Sequence, residues 1–217
     1  MNNDGVLRLD AVGIRLHGRM LLGPLDATVQ VGECLTLMGP SGCGKSTLLN
    51  FLAGTLDPVF DASGRVWVGA ADLTGLAPER RRIGILFQDD LLFPHLSVGG
   101  NLAFALPADV RPNAQRRARV EAALGEAGLG GFAERDPATL SGGQRARVAL
   151  MRTLLAAPNA LLLDEPFNKL DAQLRDEFRD FVFRHARAVG VPTLMVTHDE
   201  ADARAAGGRI LHLQPMR

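Results

Sequence analysis

"GPSGCGKST", residues 39–47, decides how the rest of the chain is read. It fits the spacing G-x-x-x-x-G-K-[ST], with Gly39, Gly44, Lys45 and Ser46 at the defining positions. The stretch before it, "CLTLM" at 34–38, is a short apolar run that predicts a buried strand. The stretch after it, "STLLNFLAG" at 46–54, has helical spacing and a terminal glycine. Strand, glycine loop and helix together form the context in which this motif cradles phosphate. Backbone N–H groups of residues 42–47 (Gly42, Cys43, Gly44, Lys45, Ser46 and Thr47) are expected to wrap a β-phosphate, with Pro40 and Ser41 shaping the approach. Glycine allows the backbone turn this needs, and the helix N-terminus adds positive partial charge. Lys45 is expected to reach the β- and γ-phosphates, and Ser46 to supply a ligand to Mg²⁺. Cys43 lies inside the loop, so a bulky label on it is expected to collide with bound phosphate.

The chain has only two lysines, Lys45 and Lys169, and uses arginine elsewhere. A compact ammonium suits a tight phosphate loop better than a guanidinium does; codon bias is an equally open reading of the scarcity.

A second patch of chemistry lies at "LLLDEPFNKLD", 161–171. Apolar residues there run into two carboxylates, and strand ends are where open α/β sheets bind ligands. Asp164 is the candidate for holding Mg²⁺, directly or through water. Glu165 is the candidate for polarising an attacking water, an effect worth about 10²–10⁴-fold for a positioned base. Taken alone, the same residues also read as an acidic turn that ends a strand. A third patch, "TLSGGQRARVAL" at 139–150, sets a serine and a glycine pair ahead of a basic helix. Its plain reading is a helix start with Ser141 as N-cap.

Around these patches the chain is ordinary for a globular protein. Its 217 residues are 47% hydrophobic and 22% charged, with formal net charge zero, so the whole chain is no polyanion binder. Cys34 and Cys43 give neither a disulfide framework nor a metal spacing, which fits a reducing cytoplasm. No apolar run reaches the roughly 18 residues of a membrane span, and "MNNDGVLRLD" lacks the pattern of a signal peptide. Strand patterns are read at 6–16, 25–31, 64–70, 82–88, 159–164, 192–198 and at "RILHLQP" near the C-terminus. Helices are read at 171–190 and 199–207. Their alternation predicts an α/β sheet. Residues 89–156 are helical and alanine-rich, too long for one crossover, and predict an inserted helical subdomain within a single domain spanning 1–217. The arginine runs "ERRRIG" at 79–84 and "RPNAQRRARV" at 111–120 lack interleaved aromatics and predict solvated faces rather than a nucleic-acid surface.

"GPSGCGKST", the glutamine of "LFQDD", "LSGGQ", "LLLDEP" and "VTHDE" follow one another in this order. The sequence thereby resembles the nucleotide-binding subunits of ABC transporters, over nearly the whole chain. "RRIGILFQDDLLFPHLSVGGNLAFAL" looks like the binding-protein-dependent importers, near the thiamine-type and YnjD-like ATPases. The resemblance implies a P-loop NTPase core of ABC type at 1–88 and 157–217, with an antiparallel β subdomain, and the helical subdomain at 89–156. It implies ATP and Mg²⁺ as ligands. It implies that Gln88 touches Mg²⁺ and the attacking water, that His198 lies near the γ-phosphate, and that Asp171 closes the loop after Glu165. Ser141, Gly142, Gly143 and Gln144 would then cap the ATP held by a second copy of the chain, in a head-to-tail dimer of C2 symmetry.

The implied partners are that second copy, a membrane permease and a solute-binding protein, with no nucleic acid. The implied location is the inner face of the cell membrane, through the permease. No C-terminal regulatory domain is expected after "RILHLQPMR". A soluble ABC protein and a regulatory module on a membrane partner are the alternative readings. Residues 90–98, "DLLFPHLSV", serve either the permease contact or the helical core. Two positions depart from the family's habit. The adenine-stacking aromatic is replaced near Leu16 or His17, in a chain with no tyrosine, which leaves the choice between ATP and GTP open. The usual Ser-Ala-Leu-Asp reads Asn168-Lys169-Leu170-Asp171, and Lys169 either reaches an acid across the dimer or is a solvated charge.

Overall fold

The structure, a computed structural model, describes residues 5–214. The readings made on residues 1–4 and 215–217 lie outside the described residues. Two sheets make the frame. In the first, β1 (Leu7–Leu16) pairs antiparallel with both β2 (Arg19–Val29) and β4 (Phe60–Val68), and β4 carries the two-residue β5 (Ala71–Asp72). The β1–β2 turn is His17–Gly18, both at positive φ (50° and 79°), the mirror-image turn whose twist suits a tight hairpin. Strand β2 begins well before the stretch read from sequence, because Gly23-Pro24 interrupts its pattern. It is an edge strand, where a proline is tolerated.

The second sheet is parallel, in the order β6 (Ile83–Leu86), β7 (Ala160–Asp164), β8 (Thr193–Thr197), β3 (Cys34–Met38), β9 (Ile210–His212). Its inner strands β7, β8 and β3 are buried nearly throughout because both their faces are covered, while the edge strand β9 is largely exposed. Leu161 and Leu163 of β7 point into a cluster with Leu150, Phe178 and Val182. Ala160 and Leu162, one residue out of phase, join Leu9, Val12, Leu35 and Leu48 of the other cluster. The period-2 alternation of a strand therefore feeds two cores from one apolar run. Helix α1 (Lys45–Ala53) and the antiparallel sheet share one cluster, and α6 (Ala172–Val189) lies in the other. Helix α7 (Glu200–Ala206) also packs against the parallel sheet.

Between β6 and β7 come α3 (Val98–Ala105), α4 (Asn113–Glu126) and α5 (Gly142–Leu155). They pack on one another, and α5 packs on α6. Their apolar residues, among them Leu102, Leu124 and Leu150, belong to the same cluster as the α6 side of the sheet. Helix α6 shows how local sequence sets the ends. Asp171 caps its first turn through Oδ1, which accepts Leu174 N–H at 3.0 Å. Gly190 ends it at φ 68°, a left-handed conformation in which glycine carries no side-chain penalty.

The arginine runs are not solvated faces throughout. Arg81, in the four-residue helix α2 (Pro78–Arg81), is 5% exposed. Its guanidinium donates to Phe51 O (2.7 Å), Leu52 O (2.9 Å), Thr74 O (2.8 Å) and Leu76 O (2.8 Å). The first two lie at the C-terminal end of α1, where Phe51 O also accepts Gly54 N–H at 3.2 Å and a cation complements the helix dipole. Arg116 of α4 likewise turns inward, donating to Ala103 O at 2.7 Å and Pro107 O at 3.1 Å. Charge density along the chain suggests solvent exposure. A five-donor fork can instead be buried wherever backbone carbonyls converge.

Candidate nucleotide-binding site

Strands β3, β7 and β8 are adjacent, and all end at the same edge of the sheet. That edge gathers the residues singled out in the sequence. The loop after β3 runs from Gly39 into α1. A side chain at Gly39 would meet Leu213 O at 2.7 Å and Cys43 Sγ at 2.9 Å, so only glycine fits there. Gly44 sits at φ 89° with Leu21 of β2 packed close over it, its Cγ 3.1 Å from where a Cβ would lie. Pro40, Ser41 and Gly42 are exposed on the outside of the loop, and Thr47 is half-buried behind it. The Cys43 thiol is buried, so a label must open the loop before it can reach the sulfur.

Lys45 is 6% exposed and has no carboxylate partner among its hydrogen bonds. Its Nζ curls back to donate to Gly39 O (2.7 Å) and Pro40 O (3.0 Å), the carbonyls of its own loop. A buried ammonium held only by loop carbonyls is available to a phosphate. Ser46 Oγ donates to Asp164 Oδ1 at 3.1 Å, which ties the start of α1 to the end of β7. Burial pushes the Asp164 carboxyl above its ordinary 3.8, and the neighbouring Glu165 adds to the rise, while Ser46 and Lys45 oppose it. Among the described residues no three His, Cys, Asp or Glu side chains cluster to hold a metal. A hydroxyl and one carboxylate are the kind of partial donor set that Mg²⁺ completes with substrate phosphates and water.

Glu165 follows directly, at φ 46°. A left-handed conformation in a non-glycine residue is costly, roughly 1–3 kcal/mol, and needs its surroundings to enforce it. Two residues on, the fully buried Phe167 anchors the turn. It packs edge-on against Phe178 and Phe183 of α6, with centroids 5.9 and 5.8 Å away. The turn aims Glu165 Oε2 at His198 Nδ1, 3.2 Å away across the end of β8, and at the amide of Asn168. Next to His198, Asp199 caps α7 and pairs with Arg175 of α6 at 3.0 Å. Burial works against the Asp199 charge, but the N–H groups of Ala201 and Asp202, with Arg175 and Arg179, hold its pKa below the usual value.

Gln88 lies exposed just past the end of β6. The residues after it are tied to both sides: Lys169 pairs with Asp89, and Arg145 Nε pairs with Asp90 Oδ2 at 2.8 Å. Lys169 therefore answers to an acid of its own chain, while staying about half exposed. Arg152 of α5 donates to the carbonyls of Asp90 (3.0 Å) and Leu91 (2.8 Å). The buried Asn101 pins the same segment through Phe93 N–H at 2.8 Å. The turn at 141–144 belongs to α5. Ser141 Oγ accepts Gln144 N–H (3.3 Å), and Gln144 Oε1 accepts Ser141 N–H (3.0 Å). This is a reciprocal capping box. Among the described residues no hydrogen bond or ion pair joins 141–144 to 39–47. Leu16 sits at the far end of β1, paired with Arg19 and Phe60, and His17 is exposed in the turn.

Sequence reasoning passed over Phe167, Arg145, Arg152 and Asn101, and gave Asn168 no role. The lone aromatic between "DEP" and "NKLD" was a usable signal for Phe167. The other four act over long separations or around a turn, and no local spacing marks them.

Comparison with known proteins agrees with this geometry. The family model described as "ABC transporter" matches residues 22–168. The chain is 53% identical over 194 residues to the "Uncharacterized ABC transporter ATP-binding protein YnjD" of Escherichia coli (strain K12), covering 89% of each. It is 44% identical over 196 residues to the "Sulfate/thiosulfate import ATP-binding protein CysA" of Mycobacterium tuberculosis, covering 90% of this chain and 55% of that one. It thus spans about half the length of that relative. Among solved structures, the dimeric structure of MJ0796, a bacterial ABC transporter cassette, aligns with a TM-score of 0.78 at 30% identity, over 96% of this chain and 94% of that one. The phosphate loop, the carboxylates at the end of β7 and these likenesses lead to one conclusion: the chain belongs to the ABC transporter family, as an ATP-binding cassette with ATPase chemistry.

Proposed function

We propose that this chain is the ATP-hydrolysing subunit that powers solute import through an ABC transporter, by ATP-driven closure of two copies. The observation that carries the reading is the meeting of Lys45, Ser46, Asp164, Glu165 and His198 at the ends of three neighbouring strands. In the proposed site, the N–H groups of 42–47 and Lys45 hold the β- and γ-phosphates of ATP. Ser46 and Asp164, with Gln88, would hold Mg²⁺, which when bound neutralises charge on the phosphates. Glu165 takes a proton from the water that attacks the terminal phosphoryl group, and His198 holds the same carboxylate in place.

Ser141, Gly142, Gly143 and Gln144 serve the ATP of the other copy, and Asp171 lies at the seam. Residues 89–156 act as the inserted subdomain that carries this turn. Exposed apolar side chains beside the segment after Gln88, Leu91 (55%) and Phe104 (68%), flank a cleft of about 480 Å³ that Phe93 also lines. They suit a permease helix, while Leu92 packs inward on the core. A solute-binding protein acting with that permease completes the importer, with the cassette on the cytoplasmic face of the membrane. No helix among the described residues is long and apolar enough to cross a membrane.

Two variants test the reading. Lys45→Ala is expected to lose ATP binding. Glu165→Gln is expected to bind ATP, stay dimeric and hydrolyse about 10²-fold less or lower. Parental ATP affinity in the first, or parental turnover in the second, would sink the assignment.

A further inference from the structure

The loop after Glu165 departs from the family's habit by placing Asn168 where serine is common, and the structure gives that longer side chain a partner. Asn168 Nδ2 donates to Glu165 Oε2. The polarity is forced, since a carboxylate only accepts and the amide must turn its NH₂ toward it. The same oxygen faces His198 Nδ1 at 3.2 Å. Oε2 is thus approached from two sides, while Oε1 has no protein partner among the hydrogen bonds of the described residues. The loop that carries Asn168 is held at both ends. Phe167 is fully buried against α6, and Asp171 caps the first turn of α6.

We propose that Asn168 is a positioning residue for Glu165: its amide and His198 clamp one carboxylate oxygen, so that the other is presented to the attacking water. The inference rests on the reading of Glu165 as the base. The partner of the Asn168 amide is the Glu165 carboxylate, so its effect passes through that group. Because a fixed carboxylate matters in the chemical step and not in nucleotide binding, the clamp should act on kcat and leave KM nearly alone.

The test uses the full chain with Asn168→Ala, which removes the donor, and Asn168→Asp, which keeps the size but sets a second carboxylate against Glu165. A hydrogen bond to a charged group is strong enough that kcat should fall about tenfold or more in Asn168→Ala. It should fall further in Asn168→Asp, with KM for ATP within about twofold of the parent in both. Slower hydrolysis should also lengthen the life of the ATP-bound dimer on size-exclusion chromatography. In a Glu165→Gln background neither substitution should lower the residual rate further, because there is no charged carboxylate left to hold. Parental kcat in both variants would overturn the proposal, and so would an equal loss with and without Glu165. Parental turnover in Glu165→Gln alone would remove the base assignment beneath it, a failure visible before any Asn168 variant is made.

Discussion

Asp164 carries a cost that its proposed part in holding Mg²⁺ would explain. Burial, with Glu165 alongside, holds its carboxyl above the ordinary 3.8. A carboxyl with a raised folded pKa binds its proton more tightly in the fold than in the unfolded chain. Its contribution is therefore fully favourable below pH 3.8 and is lost as pH rises through the folded value. Asp164→Asn, which can still accept from Ser46, should make the nucleotide-free and metal-free protein more stable at pH 7. The gap should narrow as pH falls toward 3.8. Denaturant midpoints of the two proteins across pH 4.5–8 would check this, and a variant less stable than the parent at neutral pH would contradict it. Lys45, Ser46, Asp164 and Glu165 could be picked out in the sequence because their chemistry needs fixed spacing inside one turn. Lys169 could not be resolved there. Its partner, Asp89, is eighty positions away, and only the approach of the two loops pairs them.

At the scale of elements, helix ends were the most readable features. Asp171, Gly190, Asp199 and Gly207 stand where caps belong, and the structure caps α6 and α7 with them. Caps are local bonds, so local sequence specifies them. Arg81 is the opposite case. Its four carbonyl partners come from the end of α1 and from the loop 74–76, and nothing in "ERRRIG" tells Arg81 from Arg80 or Arg82. Arg81→Ala would leave several buried acceptors unpaired. It should cost about 2–4 kcal/mol, while the exposed Arg80→Ala should stay within about 0.5 kcal/mol. Thermal unfolding of both variants beside the parent separates the two expectations, and equal shifts would mean that the buried fork carries no special weight.

For the whole molecule, the distance between the two glycine turns is the central fact. The phosphate loop opens α1 and the 141–144 turn opens α5, and no hydrogen bond or ion pair between them occurs among the described residues. The proposed dimer makes them parts of one site. Gly142 allows a clean test, because a side chain built there meets nothing within 4 Å. An aspartate in the first turn of a helix is moreover favourable. Gly142→Asp in a Glu165→Gln background should therefore fold and bind ATP like Glu165→Gln alone, yet remain monomeric, since its charge would face the partner's phosphate. An ATP-dependent dimer in light scattering would show that this turn lies outside the interface. The chain's own sequence determined the phosphate loop, the carboxylates at the end of β7, the helix caps and the alternation of strands and helices, because each depends on spacing within a few residues. Only the tertiary structure decided that β8 lies between β3 and β7, that one apolar strand feeds two cores, that Arg81 is buried, and that Asn168 and Lys169 face Glu165 and Asp89. Those outcomes depend on which distant segments share a face, and hydrophobic periodicity says that a face is buried without saying against what.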